Sequence, residues 1–256
     1  MITMLDQLNR HECARIEAFK THLSLAKVES LSWDDLLEIL IQRRFLSLSI
    51  VNIYEFVIDA LESESIKTAV RLILHEEYPR NTRGVPLVSH RELLFRDLLN
   101  LGASRDQILM SGESPLTQEV RLQSLSQLEC CLGHVHSELA LVSFLRFWAE
   151  VLVAVEYECL WPRLAERLSP PSSSQGIASQ FFYYHMIHDR RQSDLGDGQL
   201  LGGLTHAQAL ARHIPELIND ESALQEAMRQ VDRAWELKVR FYSQFRRFGS
   251  AQASRR

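Results

Sequence analysis

The sequence predicts an all-α protein. Three observations carry this. Apolar residues recur at three- and four-residue spacing over long segments, the period that lines one face of a helix. Glycine is scarce, with 10 residues in 256. The Asp197-Gly198 pair lies in a polar loop rather than between alternating strand patterns. In chain order, a first helix is expected over 4–26. A second is expected over 32–61, opening at Ser32-Trp33-Asp34-Asp35, where the serine oxygen takes a free backbone amide and Asp35 reaches back. A third covers 65–78 and stops at Pro79. After a loop with Asn81, Gly84 and Pro86, a helix over 89–101 ends at Gly102, and 104–110 forms a short one. A helix over 117–132 precedes Gly133. A long, very apolar helix runs over 136–168, and Ser169-Pro170-Pro171-Ser172-Ser173-Ser174 breaks the chain. A helix over 177–191 carries a cluster of aromatics and histidines, followed by a polar loop over 194–203. Helices over 205–213 and 221–248 complete the expected domain, 1–248, and 249–256 is a flexible tail.

Composition narrows the function. Hydrophobic residues make up 46% and charged residues 24%, an ordinary globular mix. A net charge of -5 does not match nucleic acid electrostatically. The pairs Arg190-Arg191, Arg246-Arg247 and Arg255-Arg256 are expected to be solvated helix ends. The most apolar stretch, 139–161, is interrupted by Arg146, Glu150, Glu156 and Glu158, so it reads as a buried helix rather than a membrane span. Residues 1–10 lack the apolar run of a signal peptide, and Cys13, Cys130, Cys131 and Cys159 show no CxxC spacing. The expectation is a cytoplasmic protein with reduced thiols. Its expected partner is a small-molecule substrate, with no nucleic acid and no membrane; a homodimer is compatible with this.

The chain contains no Gly-rich phosphate loop, no GxSxG elbow, no HExxH helix and no Glu-x-x-His. The last absence disfavours a ferritin-type diiron bundle, which uses that motif twice. The informative segment is Phe181-Phe182-Tyr183-Tyr184-His185-Met186-Ile187-His188-Asp189-Arg190-Arg191-Gln192. Residues four apart stack on one helix face, so His185 and Asp189 are neighbours, with Gln192 a turn further on. Such a pair either ligates metal or is a core histidine held by a carboxylate. His75-Glu76-Glu77-Tyr78 closes one helix, and His90 opens the next in His90-Arg91-Glu92-Leu93-Leu94-Phe95. Val153-Ala154-Val155-Glu156-Tyr157-Glu158 sets acids in an apolar helix, where a charge needs a partner. Histidine nitrogen with carboxylate oxygen and no thiolate suits iron or manganese and leaves zinc open.

Taken together, an acidic pair, a loop, His-x-x-Leu-Phe, a Glu in a long apolar helix and His-x-x-x-Asp after an aromatic run resemble the haem-oxygenase-like diiron oxidase and oxygenase superfamily. The resemblance covers about 71–192. It implies a bundle of about seven helices with extra short ones. It implies two irons, with O2 as co-substrate. The ligands it implies are Glu77 (Glu76 as fallback), His90, Glu156 (Glu158 as fallback), His185 and Asp189, with Glu77, Glu156, His185 and Asp189 carrying the chemistry. Glu92 and Glu150 are read as bystanders. Gln192 stands where the family has a second histidine. Glutamine is a weaker iron ligand, so the second iron is expected to be loose unless another residue, such as His188, completes the site.

The implied activity is O2-dependent oxidation of a small metabolite, an amino acid or fatty-acid-like compound. Arg163, Arg190 and Arg191 are candidate anchors for a substrate carboxylate, and Tyr157, Tyr183 and Tyr184 are expected near the metal. Two rivals stay open. One is a metal-independent enzyme of the thiaminase or quinone-cofactor type, with Cys159 beside Glu158 as nucleophile. The other is a helical binding protein without catalysis.

Overall fold

The computed structural model describes residues 2–78, 81–82, 85–86, 88–173, 176–191 and 204–248. Local polar chemistry starts the helices. Thr3 and Asp6 form a reciprocal cap on α1 (Met4–Lys20), and α2 (Leu23–Ala26) follows a turn at Thr21. Ser32 Oγ accepts the Asp35 amide at 3.1 Å to open α3 (Trp33–Leu48). The chain breaks at Ser49 before α4 (Ile50–Ala60), so the expected second helix is two. Helix α5 (Glu64–Glu77) runs into a two-residue antiparallel pair, β1 (Asn81–Thr82) with β2 (Val85–Pro86). Ser89 and Glu92 cap α6 (His90–Asn100), and Gly102 at φ +102° turns the chain out of it. Helix α7 (Arg105–Met110) and α8 (Pro115–Cys131) follow, each capped by serine.

The long apolar segment forms a central rod. Helix α9 (Ser137–Leu145) passes without a break through a π-helical segment, Arg146–Val151, into α10 (Leu152–Leu164). Every residue from Leu139 to Tyr157 is buried. An all-round apolar helix requires neighbours on every side. They are α14 against α9, α11 against α10, and α12 against the π-helical segment. Helix α11 (Phe182–His188) is shorter than the expected 177–191, because Ser169 pairs with 177–179: its amide donates to the Ile177 carbonyl and its carbonyl takes the Ser179 amide. Helix α12 (His206–Ala211) carries a Thr205–Gln208 capping box, and α13 (Ile214–Leu217) and α14 (Glu221–Ser243) close the bundle. One hydrophobic cluster extends from Leu8 of α1 to Phe245 beyond α14. The expected loop over 194–203 and tail over 249–256 lie outside the described residues. Among the described residues no helix is long and apolar enough to cross a membrane.

Candidate metal centre

The rod, α5, α6, α11 and α12 bring acids and histidines to one cavity. Glu150 lies in the π-helical segment, where i→i+5 bonding inserts a residue and re-aims the side chain. It is buried; its Oε1 accepts the Tyr54 hydroxyl from α4, and its Oε2 lies 3.2 Å from His206 Nδ1. Helix α11 is held at its start by Asp97 of α6, a fully buried carboxylate. It accepts from Ser179 Oγ at 2.7 Å and from the amides of Gln180, Phe181 and Phe182 at 3.0–3.3 Å. That grip satisfies amides the helix leaves open and fixes the segment carrying His185 and Asp189. The two are one turn apart, and both are buried. His185 Nδ1–H donates to the Phe181 carbonyl at 2.8 Å, which leaves Nε2 as the ligand nitrogen.

Two groups of three donors result. Glu77, His90 and His185 form one: Glu77 Oε1 lies 3.1 Å from His90 Nδ1, and the rings of His90 and His185 are 4.8 Å apart between centroids. Glu150, Asp189 and His206 form the other, with Asp189 Oδ1 3.0 Å from His206 Nδ1. Within each group the donor atoms lie within 4.8 Å of one another. A third group, Glu76, His188 and His206, shares His206 with the second; Glu76 Oε2 is 3.3 Å from His206 Nε2 and accepts the Tyr184 hydroxyl. His188 stacks on Tyr184 with centroids 3.9 Å apart.

The electrostatics fit a bound cation. Burial works against a charge on His206, but hydrogen bonds with Asp189, Glu150 and Glu76 outweigh it and raise its pKa well above the ordinary value. Burial, then the neighbouring Glu150 charge, pushes Asp189 well above the carboxylate range. Protons thus hold together a cluster with too few positive charges. Even so, the contacts of His206 Nε2 with Glu76 Oε2 at 3.3 Å and of Asp189 Oδ1 with His206 Nδ1 at 3.0 Å are poorly aligned as hydrogen bonds, an arrangement a shared cation would satisfy. Burial, followed by His90, lowers His185 well below its ordinary pKa, so this imidazole is neutral, the ligand form. These buried clusters of His, Glu and Asp are able to hold metal, and a nitrogen and oxygen set without thiolate suits iron or manganese.

Four of the expected ligands come together: Glu77, His90, His185 and Asp189. Glu76 enters too, in the overlapping group rather than as a substitute for Glu77. Glu156 does not. It is fully buried, and both oxygens lie 2.8 Å from Arg43 Nε, with Lys238 Nζ at 3.1 Å and the Tyr242 hydroxyl also donating. Burial opposes its charge, but these partners keep it a carboxylate. The acid that the rod contributes is Glu150, read from the sequence as a bystander. The fallback Glu158 pairs with Arg190 at 3.4 Å. Gln192 lies outside the described residues. His206 was not foreseen; its one sequence signal is its place directly after the capping Thr205, in a short apolar helix.

The cavity has a volume of about 340 Å³ and is lined by both donor groups together with Tyr157, Arg43 and Lys238. The other expected participants sit elsewhere. Arg163 stacks on Trp33, Arg191 pairs with Glu12, and Tyr183 packs on Trp161. Cys159 does not line the cavity, and burial pushes its thiol up to about 11, which suppresses a nucleophilic thiolate.

No protein-family model matches the sequence, and no curated protein matches it. Solved structures do. A domain of unknown function with a heme oxygenase-like fold from Shewanella denitrificans superposes with a TM-score of 0.67 at 14% identity, covering 96% of this chain and 93% of that one. A CADD-like protein of unknown function from Nostoc punctiforme gives 0.62 at 11% identity, covering 94% and 97%. A TenA family transcription regulator from a Silicibacter species gives 0.59 at 13% identity, covering 95% and 96%. Superpositions with TM-scores of 0.59–0.67 over nearly whole chains establish the architecture alone: this protein has the haem-oxygenase-like fold.

Proposed function

We propose that this chain is an O2-dependent non-haem diiron oxidoreductase acting on a small metabolite. Glu77, His90 and His185 serve one iron, and Glu150, Asp189 and His206 the other. The observation that carries this reading is the pair of three-donor groups facing one cavity, with buried donor atoms on His206 and Asp189 whose contacts are poorly aligned as hydrogen bonds. His206 takes the part of the second histidine that the sequence lacks at Gln192. When bound, two ferrous ions supply electrons to O2. The protein's own work is positional. The Phe181 carbonyl orients His185, and the Tyr54 and Tyr184 hydroxyls hold Glu150 and Glu76. Apolar walls from Leu46, Ile73, Leu94 and Val153 keep bulk water from the reacting end.

Anaerobic loading with ferrous iron, gel filtration and elemental analysis test the proposal. The expected result is two irons retained per chain and O2 uptake on mixing with aerated buffer. A folded chain that retains no iron, or iron-loaded protein that consumes no O2 beyond free iron, would overturn it.

A further inference from the structure

Separate from the proposed metal ligands, a second polar group lines the cavity. Arg43 of α3 and Lys238 of α14 both line it, and both are buried, with Lys238 only 1% exposed. They share one counter-charge, Glu156, which does not itself line the cavity. That carboxylate already takes Arg43 Nε on both oxygens, as well as Lys238 Nζ and the Tyr242 hydroxyl. Arg43 Nη1 donates to Ser47 Oγ at 2.8 Å, and among the described residues its other terminal nitrogen makes no hydrogen bond. Lys238 Nζ otherwise rests 4.6 Å from the centroid of the Trp148 ring. Two buried cations share this one hydrogen-bonded carboxylate, so charge at Lys238 is costly unless the lysine gives up its proton or a ligand supplies an anion. The strain is visible at Lys238. Burial and then Arg43 lower its pKa to about 7, against the opposing pull of Glu156 and Asp189. Ile50, Val51, Ile73 and Val153 give the same cavity apolar lining.

We propose that Arg43 and Lys238 anchor the carboxylate of an organic monoanion with an apolar body, whose far end lies toward the two donor groups. The assignment of that far end rests on the metal-centre reading; the anchor itself does not. A monoanion matches the one charge that a protonated Lys238 adds to the Arg43–Glu156 pair, whereas a phosphate dianion would exceed it. The anionic head is held by side chains, and the metal ligands stay free for the part of the molecule that reacts.

The test is calorimetric titration of the full-length protein with octanoate and with octanamide, its neutral counterpart of equal length, with and without ferrous iron under anaerobic conditions. Octanoate should bind at least about tenfold tighter than octanamide whether or not iron is present, since only the charged head makes charge-assisted hydrogen bonds to Arg43 and Lys238. Lys238→Met keeps the Arg43–Glu156 pair and should weaken octanoate by about tenfold or more, with octanamide unchanged; Lys238→Arg should restore most of the loss. Equal affinity for the two probes, undiminished octanoate binding by Lys238→Met, or tighter binding of octyl phosphate would each overturn the anchor. Octanoate binding only in the presence of iron would also overturn it, since the metal would then be the carboxylate's partner. Octanoate binding that depends on Lys238 in a chain unable to hold iron would support the anchor while removing the diiron reading. If Lys238→Met fails to fold, the comparison of octanoate with octanamide on the native chain decides alone.

Discussion

Single charges inside this bundle have separable jobs, and Glu150 and Glu156 show it most clearly. They stand six residues apart on one rod, both buried, one facing histidine and aspartate and the other facing arginine and lysine. Glu150→Gln should therefore abolish one iron site while leaving the melting temperature within a few degrees. Glu156→Gln should keep the donors and lower stability by about 3 kcal/mol, because two buried cations lose their carboxylate. Iron counts and urea unfolding on both variants check this; the reverse pattern would exchange their roles. Lys238 gives a pH signature. Its folded pKa of about 7 lies below the ordinary 10.5, so between these values the unfolded chain holds a proton the folded chain has released. Stability contributed at this position therefore rises with pH across that window, by at most about 1.4 kcal/mol per unit, and the cost is fully present below it. Unfolding free energies at pH 7 and pH 9 should show that rise in the native protein and lose it in Lys238→Met. Arg43, Glu156 and Asp189 are the charges that set it. At this scale His185 and Asp189 were legible because helix spacing alone makes them neighbours. Glu150 was not, since a reading that assumes 3.6 residues per turn misaims every side chain inside a π-helical segment. Nor was His206, because its partners lie on three other segments, at Glu76, Glu150 and Asp189.

At the scale of the element, the capping chemistry explains both what was readable and what was missed. Ser89–Glu92 and Thr205–Gln208 are local motifs, and both helices start where those residues put them. Helix α11 is capped in two ways: Ser179 Oγ accepts the Tyr183 amide locally at 3.0 Å, while Asp97, 83 residues earlier than Gln180, takes the amides before it, and no local pattern reveals that second part. That is why the sequence placed the helix start at 177 and the structure places it at Phe182. Asp97→Ala should cost about 2 kcal/mol, within the range for lost caps and above the midpoint because the site is fully buried. It should also reduce iron loading at both sites, since α11 supplies His185 to one and Asp189 to the other. Thermal melts alongside iron analysis measure both effects. An Asp97→Ala protein with native loading would show that α11 is positioned by its apolar face alone.

Across the whole molecule, the helix order follows from apolar periodicity, although the expected helices over 4–26 and 32–61 each divide in two, while the clamps that set the cavity are long-range. Glu12 of α1 is buried between Arg146 of the rod and Arg191 beyond α11, and Arg146 Nε donates to the Ala207 carbonyl at 3.0 Å, next to His206. One carboxylate thus ties α1 to the rod and to the segment just past Asp189, and through Arg146 to the start of α12. Glu12→Ala should destabilise the fold by about 3–5 kcal/mol, the cost of breaking a buried ion pair by removing one partner. Denaturant unfolding checks it, and a loss under about 1 kcal/mol would show that the two arginines find water instead. None of these ties has a sequence spacing that identifies it, whereas the all-α class needed only the period of the apolar residues, and the haem-oxygenase-like arrangement was what the resemblance implied.

The central claim is that His206 supplies the donor missing at Gln192 and so completes a second metal position. Anaerobic ferrous titration of the native protein and of His206→Ala, with folding verified by far-UV circular dichroism, tests it most directly. The account predicts two irons per native chain and one in the variant, retained at Glu77, His90 and His185. Two irons in a folded His206→Ala protein, or only one in the native chain, would contradict it.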